Sequence, residues 1–148
     1  MLLESTAAAA TQEAAARRVN AEWYAGWFAR LECHTIRPPG TGEPGWLRYP
    51  VLLDPASRAW VDAAPARRLG IAPGYPGALA SLPAVRERMA PWSLGERSPG
   101  AERLVATLVT LPTHSLLTEE GRSSVLCAIA PALPLLGAAD ADTATGSE

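Results

Sequence analysis

From Val19 onward, large apolar residues recur at helical spacing: Val19, Trp23, Tyr24, Trp27, Phe28 and Leu31, with Asn20, Glu22 and Arg30 off that stripe. This spacing predicts an amphipathic helix with an aromatic face, ending near residues 31–33. Upstream, residues 1–16 are mostly Ala with Thr, Ser and Glu. Such a stretch favours helix but has little to anchor it in a core, so a flexible or helical extension that frays is expected.

After the helix, a short apolar segment at 34–36 reads as strand and Pro38-Pro39-Gly40 as loop. Trp46 to Leu53, WLRYPVLL, has the aromatic and branched residues of a strand. Pro50 cannot donate to a ladder, which places that strand at an edge or a bulge. Asp54 is a good N-cap with Pro55 at the first helical position, and Gly70 suits a left-handed terminator. Trp60, Val61, Ala64 and Leu69 are expected to face inward, with a kink or early stop at Pro65.

Ile71 to Pro83 reads as loop or short extended chain around Tyr75-Pro76-Gly77, followed by a brief helix over 84–90. Ser98-Pro99 opens a helix whose face is Leu104, Val105, Leu108 and Val109, and 110–114 follows as a short strand or connector. Thr118 with Glu119 and Glu120 starts a last helix that turns Val125, Leu126, Ile129 and Leu133 to the core. Residues 137–148 contain no apolar side chain larger than Ala and are expected to be a disordered tail. Alternating short strands and helices predict an α+β domain over 17–136, a few-stranded sheet covered by helices.

A chain of 148 residues and 15.6 kDa is sized for one domain. A net charge of −2 gives no electrostatic reason for nucleic-acid binding. No apolar run approaches the length of about 20 residues that spans a bilayer, and Glu4 interrupts any secretory signal, so no membrane contact and a cytoplasmic location are expected. Cys33 and Cys127 lack a CxxC or Cys/His cluster; they read as two reduced, partly buried thiols, not a metal or redox pair. Phosphate-loop, GxSxG and HExxH motifs are absent.

All 13 basic residues are Arg and none is Lys. That changes the chemistry available, because a Schiff base needs a side-chain amine and a guanidinium cannot supply one. Arg48 has the fork geometry to hold a carboxylate or phosphate, but an Arg in a strand more often meets solvent or a neighbouring acid. His114 could act as a base or ligand by type, yet no partner is identifiable, and His34 has still less to support it. Glu119-Glu120 reads as a helix-dipole pair, and Asp140 and Asp142 as part of a solvated tail.

Three ordered segments carry a family likeness. The first runs from Arg17-Arg18-Val19-Asn20-Ala21 through Tyr24 to Arg37-Pro38-Pro39 and Trp46-Leu47-Arg48-Tyr49-Pro50-Val51-Leu52. The second is Leu69-Gly70-Ile71, Gly74-Tyr75-Pro76-Gly77-Ala78-Leu79 and Leu82-Pro83. The third is Ala101-Glu102-Arg103-Leu104, Leu111-Pro112-Thr113-His114 and Leu117-Thr118-Glu119-Glu120. Together they resemble the carboxyl-terminal small domain of the DegT/DnrJ-type sugar aminotransferases, over about residues 17–133.

The resemblance implies a small domain that closes over pyridoxal phosphate held by a separate large domain, with Tyr75 in the loop that faces the substrate; Arg48, by its donor geometry, is the second residue expected to face the substrate. Many members carry a His-Tyr pair and a further His in the loop matched by 74–79, where only Tyr75 stands here. The cofactor lysine, the acid at the pyridine nitrogen and the phosphate-binding groups belong to the large domain, so this chain alone should hold no cofactor and contribute no catalytic residue. The expected reading is a truncated or split aminotransferase whose partner is a large domain or full-length relative. The alternative is a non-catalytic interaction module, self-associating through the Trp23/Trp27/Phe28 face, or a gene remnant.

Overall fold

A computed structural model describes residues 2–31, 36, 42, 44–89 and 98–133. The chain runs α1 (Leu2–Arg30), β1 (Arg48–Leu52), a 3-10 turn (Pro55–Ser57), α2 (Arg58–Val61), α3 (Ala64–Arg68) and β2 (Ala72–Pro73). It continues through a 3-10 turn (Leu79–Ser81), α4 (Pro83–Met89), α5 (Pro99–Thr107), β3 (Leu108–Pro112), α6 (Glu119–Ile129) and a 3-10 turn (Ala130–Ala132). The three strands form one antiparallel sheet in the order β1-β3-β2. This is the α+β architecture that the alternation of elements predicts.

Pairing sets the two faces of the sheet. Tyr49 lies opposite Leu111 and Val51 opposite Val109; all four are buried. They join Tyr24 and Phe28 of α1, Val61 and Ala66 of α2 and α3, Ile71, and Val125, Leu126 and Ile129 of α6 in one core. Tyr49 is the centre of an aromatic stack: its ring is 5.8 Å from Phe28 at 4°, 5.5 Å from Tyr24 and 5.6 Å from Trp46. Aromatic pairs at these separations add to the area they bury. Pro50 sits in an edge strand, where its missing N–H leaves no ladder bond unmade.

Several expectations change. α1 is continuous from Leu2, the N-terminal extension taking its helical form: extending a formed helix costs far less than nucleating one, and the Ala-rich half grows from the half anchored in the core. Its buried stripe is also displaced. Val19 is exposed and Asn20 buried, so the buried positions are Asn20, Ala21, Tyr24 and Phe28, with Asn20, Tyr24 and Phe28 in one i, i+4, i+8 row.

The helix after Asp54 is divided into α2 and α3, with Ala63 extended before Ala64 and Pro65 in the first turn of α3. Ala64 faces solvent. Asp54 Oδ1 accepts from the Ala56 amide at 2.9 Å, and Gly70 closes α3 at φ +73°. α5 ends at Thr107, so Leu108 and Val109 belong to the central strand and not to a helix face, and Leu104 is exposed. Branched Val109 and Thr110 favour a strand that pairs on both sides.

The segment at 34–36 apart from Ile36, the Pro38-Pro39-Gly40 loop, Cys33, and the tail over 137–148 lie outside the described residues. Cys127 is exposed, not partly buried.

Candidate functional site

Arg48 starts β1 on the face of the sheet turned away from the core. Its Nε donates to Thr110 Oγ1 at 2.6 Å, and its Nη2 donates to the Thr110 carbonyl at 2.9 Å and to the Gly70 carbonyl. Although the residue is exposed, its head group is folded against β3. Partial burial lowers the guanidinium pKa, opposed by the Tyr24 hydroxyl.

Tyr75 follows β2 in a loop whose shape depends on Gly74. The Gly74 amide donates to the Leu108 carbonyl at 2.9 Å, and a Cβ at Gly74 would sit 2.6 Å from Leu108 Cγ and Cδ2. Only glycine lets the backbone lie this close to β3, and the chain then turns outward, leaving Tyr75 55 % exposed. Arg48 and the Tyr75 loop therefore attach to the same strand, Arg48 at Thr110 and the loop at Leu108. No hydrogen bond or ion pair joins the two side chains among the described contacts.

His114 takes part through its backbone: its carbonyl accepts from Asn20 Nδ2 at 3.1 Å and from the Leu117 amide at 3.0 Å, while the residue is exposed. Thr118 Oγ1 caps α6 by accepting from the Gly121 amide at 3.1 Å, and Glu119 and Glu120 stand exposed in the first turn. Among the described residues no three of His, Cys, Asp and Glu cluster as metal ligands.

A buried polar node escaped the sequence reading. Asn20 donates to the carbonyls of Thr113 and His114 and accepts from Arg122 Nη1 at 3.1 Å. The Arg122 guanidinium lies 4.9 Å from the centre of the Trp23 ring, within cation–π range. Beside it, the Tyr24 hydroxyl and Arg122 Nε are buried without a hydrogen-bond partner among the described contacts, and burial drives the Tyr24 pKa upward. The available signal was Asn20 standing four and eight residues before Tyr24 and Phe28. In the aromatic face, Phe28 has no exposed surface, and Trp23 and Trp27 pack against the core while keeping part of their surface open.

These residues do not fit a site that handles pyridoxal phosphate alone. There is no amine side chain, and the Arg48 donors Nε and Nη2 are engaged within the fold.

No protein-family model and no curated protein matches the chain. Among solved structures, the sugar aminotransferase CalS13 from Micromonospora echinospora superposes with a TM-score of 0.58 at 22% identity. The match covers 80% of this chain and 30% of that one. The chain has the fold of part of a sugar aminotransferase. It spans under a third of that structure's length, and the likeness does not single out the DegT/DnrJ branch. Among the described residues no helix is long and apolar enough to cross a membrane.

Proposed function

We propose that this chain is the small domain of a pyridoxal-phosphate-dependent sugar aminotransferase of the DegT/DnrJ type, working in the cytoplasm against a lysine-bearing large domain outside these 148 residues. The observation that carries the reading is a fold shared over 80% of this chain with 30% of a sugar aminotransferase, in a sequence without lysine. The segments of the family likeness lie on α1 (17–21 and 24), in β1 and the two residues before it (46–52), around β2 (69–79) and across the turn into α6 (111–120).

The cofactor supplies the electron sink in such enzymes; this chain would exclude water and shape the sugar pocket. Tyr75 offers an exposed phenol. Arg48 would meet a substrate anion through Nη1, since Nε and Nη2 are engaged. The test is reconstitution with the large domain of a sugar aminotransferase that lacks its own small domain. Cofactor binding and amino-group transfer should require both pieces, and Tyr75→Phe should weaken the combined activity. Transamination by this chain alone would overturn the reading.

A non-catalytic, self-associating module is the second reading, favoured by the partial exposure of Trp23 and Trp27. Phe28 is buried and cannot contribute. Sedimentation across a concentration series tests it: a monomer at every concentration rules it out.

A further inference from the structure

Trp46, two residues before β1, has φ +46°. Among the described residues it alone, glycine apart, takes the left-handed backbone. For a bulky side chain this is a strained conformation that persists only where the surroundings hold it.

Two contacts hold it here. Thr113 Oγ1 donates to the Trp46 carbonyl at 2.6 Å and lies 3.0 Å from the Leu47 carbonyl. The indole stacks on Tyr49 at 5.6 Å and 21°. Thr113 is itself fully buried, and its carbonyl is fixed by Asn20 Nδ2 at 2.9 Å. On the other side of Trp46, Gly45 borders an open cleft of about 270 Å³ whose far wall is Ala10, Glu13, Ala14 and Arg17 of α1.

We propose that Trp46 is a latched hinge, with the Thr113 hydroxyl as its latch. While the hydroxyl holds the Trp46 carbonyl, the backbone stays left-handed and Gly45 borders the cleft, facing α1 across it. Loss of that hydrogen bond lets Trp46 relax to extended backbone, lifts its ring from Tyr49 and swings Gly45 away from α1, widening the cleft. Strain supplies the direction of the motion, and the buried Thr113 supplies the discrete release that a two-state element needs.

The hinge can be read by fluorine NMR of the full chain labelled with 5-fluorotryptophan, the Trp46 signal being assigned with Trp46→Phe. Thr113→Val keeps the volume and removes the hydroxyl, so the Trp46 signal should shift or split; Thr113→Ser should leave it in place. An unmoved Trp46 signal in folded Thr113→Val overturns the latch. A second comparison does not depend on that variant folding. Glycine takes φ +46° without steric cost, so Trp46→Gly should melt a few degrees above Trp46→Ala; an equal or lower melting temperature overturns the strain on which the hinge depends.

Discussion

Asn20 and Arg122 stand 102 residues apart in sequence and meet at 3.1 Å, the guanidinium Nη1 donating to Asn20 Oδ1. The other end of the same amide donates to two backbone carbonyls, those of Thr113 and His114, at 2.9 and 3.1 Å. One buried side chain thus joins α1, the turn after β3, and α6. An amide suits the position because it presents a donor and an acceptor at once.

Asn20→Asp separates these roles with little change in size. The new carboxylate would gain attraction to Arg122 but would turn an acceptor toward two carbonyls. Leaving buried polar groups mispaired costs about 1–3 kcal/mol. The midpoint of urea unfolding should therefore fall at unchanged slope. A midpoint at the wild-type value would show that the Arg122 attraction offsets both lost bonds.

Tyr24→Phe should behave in the opposite way. The hydroxyl is buried without a partner among the described contacts, so its removal should be neutral or stabilising by up to about 1 kcal/mol. The pH dependence has a definite sign. Burial raises the Tyr24 pKa, with Arg122 and Arg48 opposing the rise. The stability tied to this group is thus fully present below the ordinary tyrosine value of about 10, and is lost as pH climbs above it, because the unfolded chain releases the proton first. The alkaline fall in stability should be shallower in Tyr24→Phe, as read by denaturant titration at several pH values.

Much of the fold was legible because local signals agreed with tertiary demands. Pro50 marked an edge strand and Gly70 a left-handed stop, each through a backbone property, and Thr118 a helix start through its capping hydroxyl. The central strand was harder to read. Leu108 and Val109 continue the apolar spacing of α5, and only their pairing with β1 and β2 resolves them as strand. On α1, replacing Val19 with Asn20 on the buried stripe requires carbonyl partners 93 and 94 residues away, which periodicity cannot reveal. Of the candidate site residues, Tyr75 was singled out through the family likeness and Arg48 through its fork of donors, whereas the Thr110 and Gly70 partners of Arg48 depend on strand register. The strain at Trp46 has no signal in a sequence.

Glu13 lines the cleft beside α1 and should titrate far below an ordinary glutamate. Hydrogen bonds from Ser115, then from Arg17, lower its pKa to about 2; the Arg17 Nε contact is 2.7 Å. A depressed carboxylate contributes stability that is present above its unfolded value, 4.5, and lost as pH falls toward 2. Carbon-detected NMR titration of the Glu13 carboxyl should give the low midpoint, and Ser115→Ala and Arg17→Met should each raise it. An ordinary midpoint in the unsubstituted chain would refute the contact between α1 and the turn at Ser115.

Gly74 makes the most direct steric prediction at the candidate site. A methyl group there would meet Leu108 at Cγ and Cδ2, both 2.6 Å away, and at Cβ, 3.1 Å away. Because Cβ and Cγ lie near the backbone of the central strand, a rotamer change at the tip of Leu108 cannot relieve the clash. Gly74→Ala should destabilise the fold by about 1–3 kcal/mol and displace the loop carrying Tyr75. Leu108→Ala alone should also destabilise, by leaving a void. Combined with Gly74→Ala, it should cost less than the sum of the two single changes, since the added methyl then has room. A double-mutant cycle on unfolding free energies measures this coupling, and strict additivity would mean that the Gly74 backbone does not rest on Leu108.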